Sequence, residues 1–158
     1  MIPRSMAVYY LDSSALVKAY AEEPGSDLVS SLISTWRIVV SALVVAEVAS
    51  AVAKRVRERR LEAAGARLVF EMFADDLGHF DVIQVSERLI RAAAASLIQG
   101  HLPLLRASEA VHLATAEQSF ILLREAADDE CVFVVADHRL LAAAAAAGLR
   151  TEDPENHA

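Results

Sequence analysis

Two aspartates stand where an apolar, strand-like run gives way to a helix-like one. Asp12 follows Val8-Tyr9-Tyr10-Leu11, and Asp137 follows Val132-Phe133-Val134-Val135-Ala136. In an open parallel sheet, ligands bind beyond the carboxyl ends of the strands, so two such strands side by side would aim both carboxylates into one crevice. Each aspartate also stands where a helix N-cap belongs, and the two roles are compatible. Glu47 differs in kind. It lies in Ala42-Leu43-Val44-Val45-Ala46-Glu47-Val48-Ala49, and its helical neighbours at three and four positions are Leu43, Val44, Ser50 and Ala51. An ionised carboxylate there either faces a cavity and needs a cation or metal, or shares a narrow polar stripe with Ser50 and Lys54. Glu109 is less pointed. Arg106, Glu109 and His112 fall three residues apart on one helix face, and a solvated ion pair, worth little, accounts for the first two. His112, between Val111 and Leu113, reads more readily as a satisfied structural histidine than as a ligand. His138 reads as a first-turn surface residue. Lys54-Arg55-Val56-Arg57-Glu58-Arg59-Arg60 is the one dense basic run. It suits a helix end, where cations complement the macrodipole. It also suits a phosphate-contacting rim near Glu47, with Lys54, Arg55 and Arg57 as the candidates for backbone contact.

The elements that would position these side chains alternate. Val8–Leu11, Arg37–Val40, Phe80–Val85 and Cys131–Val135 read as strands, with Leu149–Thr151 as a short edge strand. Between them run helix-like stretches: Ser14–Ala21, one capped by Ser26 to about Thr35, one capped by Ser41 from Ala42 to about Arg60, and Leu61–Leu77. Further helices run from Ser86 to about Gln99, stopped by Gly100 and Pro103, from Arg106 to about Ala127, and from Asp137 to Gly148. Near-continuous apolar strands alternating with helices predict an α/β fold, a parallel sheet of four to five strands covered on both faces. One domain over residues 1–151 is expected, with residues 152–158 as a disordered tail.

Composition bounds the rest. The chain has 158 residues and 55% hydrophobic content, enough for a substantial core. Fifteen Lys and Arg against 22 Asp and Glu give a formal charge of −7, which argues against a general phosphate-coating binder but leaves room for an enzyme that meets nucleic acid through a metal and a local patch. One cysteine excludes an intramolecular disulfide and a Cys-rich zinc site, and fits a cytoplasmic, reducing setting. The longest apolar run, Leu140–Ala147, is far short of the about 20 residues that span a bilayer, so no membrane partner is expected. Residues 1–6 carry no apolar signal segment. Neither a glycine-rich dinucleotide fingerprint nor a P-loop, nucleophile elbow or H-E-x-x-H pair is present. A phosphoaspartate phosphatase or receiver built on Asp12 is disfavoured, because Asp12-Ser13-Ser14 lacks a second aspartate.

The surviving motifs resemble those of PIN-domain ribonucleases, specifically the VapC-type toxins of toxin–antitoxin pairs. Tyr10 through Tyr20, followed by Glu23-Pro24-Gly25-Ser26, is similar to the family's opening segment. Ser41–Glu47 resembles the second, Leu105–Ala116 the third, and Phe133–Leu140 with Ala147-Gly148-Leu149 the fourth. Four segments in this order cover nearly the whole chain. Two positions depart from the pattern: the third acid, usually Asp, is Glu109, and the residue two before the fourth acid, usually Thr or Ser, is Val135.

The resemblance implies a PIN-like three-layer α/β/α fold and metal-dependent endoribonuclease activity. It implies a catalytic, metal-binding set of Asp12, Glu47, Glu109 and Asp137 around Mg²⁺ or Mn²⁺, with Asp12 and Asp137 as principal ligands. Oxygen-only donors suit those ions. The implied partners are RNA, a VapB-type antitoxin and a second copy of the chain in a homodimer. The two departures also motivate an alternative: a PIN-like module that binds RNA or antitoxin with weak or no catalysis.

Overall fold

A computed structural model describes residues 7–100, 105–127 and 130–157. Five strands form one parallel sheet: β1 (Ala7–Leu11), β2 (Arg37–Ser41), β3 (Asp81–Ile83), β4 (Glu130–Val134) and β5 (Thr151–Glu152), in the order β3-β2-β1-β4-β5. Helices α1 (Ser13–Leu16) and α2 (Ser26–Thr35) connect β1 to β2, and α3 (Val44–Arg57) and α4 (Ala63–Leu77) connect β2 to β3. Helices α5 (Glu87–Ile98) and α6 (Ala107–Ala127) return the chain to β4, and α7 (His138–Ala146) leads to β5.

The strands' side-chain alternation divides the interior in two. Val8, Tyr10, Val39, Cys131, Phe133 and Val135 face Leu113, Phe120, Leu140 and Ala143 of α6 and α7. Leu11, Ile38, Val40, Val132 and Val134 face Leu16, Val29, Leu32, Val44, Val48, Val52 and Phe73, from α1 to α4. Helix α5 lies outside α6, through Leu89 and Ala93 against Ala110 and Ala114. The expected α/β/α layering and parallel sheet are therefore both present. Burying one such Leu, Val or Phe side chain contributes about 1.5–3 kcal/mol, so both faces of the sheet are firmly fixed. Strand order reverses between β1 and β4, and at that point the edges of two neighbouring connections diverge and leave a crevice.

Several local expectations are corrected. The first helix is split: after α1 the chain tightens into a 3-10 turn over Val17–Tyr20, a common ending for a short helix. Helix α2 is capped by Gly25 rather than by Ser26. Gly25 has φ +88°, and a Cβ there would lie 2.7 Å from the Pro154 carbonyl oxygen, so glycine is required on both counts. Ser26 instead accepts a hydrogen bond from the Glu23 N–H at 2.9 Å, closing the Pro-Gly turn. Ser41 ends β2, and its hydroxyl accepts from the Leu43 N–H at 3.3 Å just before α3. Gly148, with φ +83°, follows the C-cap of α7 as expected.

The C-terminal stretch also differs from the expected tail. Glu152 belongs to β5, Pro154–His157 forms a 3-10 turn, and Asp153 is buried. Glu155 accepts a 2.7 Å bond from Lys18 Nζ. A lysine only 3% exposed needs a carboxylate, and that need ties the segment down. The expectations for residues 1–6, for a stop at Pro103 and for Ala158 lie outside the described residues.

Candidate active site

The carboxyl ends of β1 and β4 are in register, Leu11 opposite Val134, and the Asp12 N–H extends the pairing to the Val134 carbonyl at 3.3 Å. Asp12 and Asp137 therefore emerge side by side. Helix α3 brings Glu47 and helix α6 brings Glu109 to the same place. All four line a cleft of about 290 Å³, together with Ser13, Ser14, Val17, Ala51, Arg106, Ser108 and His112. The convergence expected from the sequence is thus found for all four acids, which lie up to 125 residues apart in the chain.

Each carboxylate is held differently. Asp12 is the N-cap of α1 and accepts from the Ala15 N–H at 3.0 Å. The Ser14 hydroxyl lies 2.7 and 2.8 Å from its two oxygens and donates to that carboxylate. The same hydroxyl accepts from the N–H groups of Ala136 and Asp137, at 3.0 and 3.2 Å. One serine thus clamps the ends of β1 and β4 together. Asp12 is 3% exposed. Burial raises its carboxyl pKa above the ordinary value, against the opposing pull of His112, Ser14 and Ala15.

Glu47 is partly open to the cleft. Burial pushes its carboxyl up, but the hydrogen bond and charge of His112, with hydrogen bonds from Ser13 and Ser108, outweigh that and lower it. Its Oε2 lies 2.7 Å from His112 Nε2. Asp137 is the N-cap of α7 and accepts from the N–H groups of Arg139 and Leu140, at 3.0 and 3.1 Å. Cap and cleft roles coincide at both aspartates.

Glu109 is engaged through both of its oxygens. Its Oε2 accepts from the Arg106 backbone N–H at 2.7 Å, the backward half of a capping box, and its Oε1 accepts from the Arg139 guanidinium at 3.0 Å. The same guanidinium lies 3.9 Å from Asp137. The extra methylene relative to aspartate gives Glu109 the reach for both bonds.

The donor set is made of carboxylate and hydroxyl oxygens, which suits a hard divalent cation such as Mg²⁺ or Mn²⁺. As the side chains stand, no three His, Cys, Asp or Glu among the described residues are gathered tightly enough to hold an ion. Ser14, His112 and Arg139 side chains engage Asp12, Glu47 and Glu109, and backbone N–H groups hold Asp137.

The basic run behaves otherwise. Arg55 is turned onto Glu23 in an ion pair, and Lys54 projects outward with Glu58 at 3.8 Å. Arg57 lines a separate apolar groove between α3 and α4, with Val52, Ala63 and Phe70. None of the three lines the acidic cleft, whereas Arg106 does and Arg139 borders it through Glu109 and Asp137. The sequence reading also missed Ser14, although an Asp-x-Ser spacing at a helix start is a signal for such a bond. It treated His112 as merely structural. His112 is buried, and it is bonded to a cleft acid.

Comparison with known proteins bears on this cleft. The family described as PIN domain matches residues 9–137, a span that contains all four acids. Ribonuclease VapC46 of Mycobacterium tuberculosis is 38% identical over 115 residues, 72% of this chain and 77% of that protein. Among solved structures, FitAcB from Neisseria gonorrhoeae superposes with a TM-score of 0.66 at 20% identity, covering 92% of this chain and 97% of the other. VapBC2 from Rickettsia felis, bound to a promoter DNA fragment, gives 0.58 at 16% identity over 92% and 98%. At those identities the two structures speak for the fold.

Proposed function

This chain belongs to the PIN domain family, and we propose on that premise that it is a ribonuclease, a hydrolase of RNA phosphodiester bonds that acts as the toxin of a VapBC-type pair. The observation that carries the proposal is the meeting of Asp12, Glu47, Glu109 and Asp137 in one cleft at the point where strand order reverses. The name of the M. tuberculosis relative supplies the reaction class.

In this proposal Asp12 and Asp137 would hold Mg²⁺ or Mn²⁺, and Glu47 and Glu109 would support it through water. A bound divalent ion supplies a lowered pKa for the attacking water and charge neutralisation for the phosphorane-like transition state. The protein's own residues do the rest. Ser14 fixes the separation of Asp12 from the backbone of Asp137. Glu47, kept ionised, orients the attacking water and accepts its proton. Arg106, at the rim, takes a phosphate of the RNA backbone. The proposed partners are a VapB-type antitoxin and a second copy of the chain, and the proposed site of action is cytoplasmic RNA. No helix among the described residues is long and apolar enough to cross a membrane.

Sequencing 5′ ends of cellular RNA after induced expression tests this directly. New ends that require Asp12 are expected. Growth arrest without new ends, or in vitro cleavage that persists in chelator, would overturn the metal-dependent nuclease.

One observation favours a second reading, a PIN-like module that binds RNA or antitoxin with little catalysis: Glu109 is committed to Arg139 and to the helix N-terminus. Glu109→Asp combined with Val135→Thr separates the two. A large gain in rate from a low baseline favours the weakened enzyme, and an already efficient parent rejects it.

A further inference from the structure

We propose that His112 is the positioning residue of the cleft, holding Glu47 in one orientation through a hydrogen-bond relay whose direction is set by Tyr10. The inference rests on the reading of the cleft as a metal-dependent site. His112 is 1% exposed, and both ring nitrogens are engaged: Nε2 with Glu47 Oε2 at 2.7 Å, and Nδ1 with the Tyr10 hydroxyl at 2.9 Å. The donors follow from elementary bonding. A carboxylate can only accept, so Nε2 carries the proton. In the neutral ring with its proton on Nε2, Nδ1 offers a lone pair to the Tyr10 O–H at 2.9 Å. A flipped ring would set carbon atoms against both partners.

Tyr10 is itself enclosed. It is fully buried on β1, with Phe120 and Phe133 edge-on to its ring. It stands two residues before Asp12, so the strand that carries one acid also orders another from across the cleft. Glu47 has three rotatable side-chain bonds and would otherwise sample several orientations. Anchoring Oε2 on a buried ring restricts the orientations left to the carboxylate, the pre-organisation that a ligand-bearing carboxylate requires.

The test uses the full chain and two readouts independent of catalysis. Ring ¹⁵N–¹H spectra are expected to show His112 as the Nε2–H tautomer, and Tyr10→Phe is expected to give a mixture. Titration calorimetry with Mn²⁺ is expected to show binding weakened about tenfold or more in His112→Leu. His112→Gln, whose amide N–H can reach the Nε2 position, is expected to restore it to within about threefold. Should His112→Leu fail to fold, Tyr10→Phe takes its place, with an expected loss of about two- to threefold. An Nδ1–H tautomer would overturn the relay, and so would a folded His112→Leu protein that binds Mn²⁺ like the parent. If the parent neither binds Mn²⁺ nor cleaves RNA, the nuclease reading falls, and the tautomer alone then decides the relay.

Discussion

The molecule contains two part-buried ionic clusters, and they are built on opposite principles. In one, Lys18 and Arg55 face Glu23 and Glu155, two cations against two carboxylates. In the other, four carboxylates share a cleft with Arg106, Arg139 and His112. The first is closed: its charges cancel among its own members, and it joins α3, the turn before α2 and the C-terminal segment. The second keeps a surplus of negative charge at the mouth of a crevice. A balanced cluster calls for nothing from outside. An unbalanced one is stable only while its acids are held by dipoles and hydrogen bonds, or while a cation is supplied.

The largest expected difference is the response to losing one carboxylate. Asp12→Asn removes a buried charge but keeps an oxygen that can accept from Ser14 and Ala15. RNA cleavage should fall by about three orders of magnitude, roughly 4 kcal/mol of barrier, in a single-turnover assay. Stability should rise by about 1 kcal/mol, or about 2–4 °C in melting temperature. In the closed cluster the effect is the reverse. Glu23→Ala leaves Lys18 and Arg55 short of a partner and should cost about 3 kcal/mol in urea unfolding, with cleavage retained at low temperature.

Next in size is a difference in pH dependence, measured in chelator. Burial raises the Asp12 pKa, so the unfolded chain loses this proton first as pH rises. Asp12 therefore costs stability as pH climbs from its unfolded toward its folded value, roughly from pH 4 upward. Glu47 is lowered, so its contribution is present above its unfolded pKa and is lost as pH falls through the folded value. Asp12→Asn should remove a falling limb from the stability–pH curve, and Glu47→Gln a rising one. Like-signed changes in the two variants would break the assignment of opposite environments.

How far these clusters were legible in the sequence follows from the same contrast. The open cluster is written in local patterns: an acid directly after an apolar strand, twice, and an acid in an otherwise apolar helix turn. Those patterns located Asp12, Asp137 and Glu47, and the strand–helix alternation located the sheet. The closed cluster is written only in long-range pairing. Nothing near Arg55 in the chain announces Glu23, and nothing near Lys18 announces Glu155, 137 residues on. Arg55 therefore looked like a free cation in a basic run, and the segment from Glu152 looked like a tail. Glu109 falls between the two cases. Its spacing from Arg106 was visible, but the partners are a backbone N–H and Arg139, 30 residues later.

The smallest predicted effects sharpen the boundary between the clusters. Arg139 bridges Glu109 and Asp137 from a half-exposed position and stands where a divalent ion's charge would be felt. Arg139→Gln should therefore tighten Mn²⁺ binding by about two- to fivefold in calorimetry, since less than 1 kcal/mol of screened, exposed attraction is released. Lys54→Ala should do less still. Its side chain is 67% exposed, is not part of the cleft lining and pairs with Glu58 at 3.8 Å. If phosphates are held by the cleft's own arginines, KM for RNA should change less than about twofold in Lys54→Ala, while Arg106→Ala raises it several-fold. A larger effect at Lys54 than at Arg106 would move the RNA path onto the end of α3.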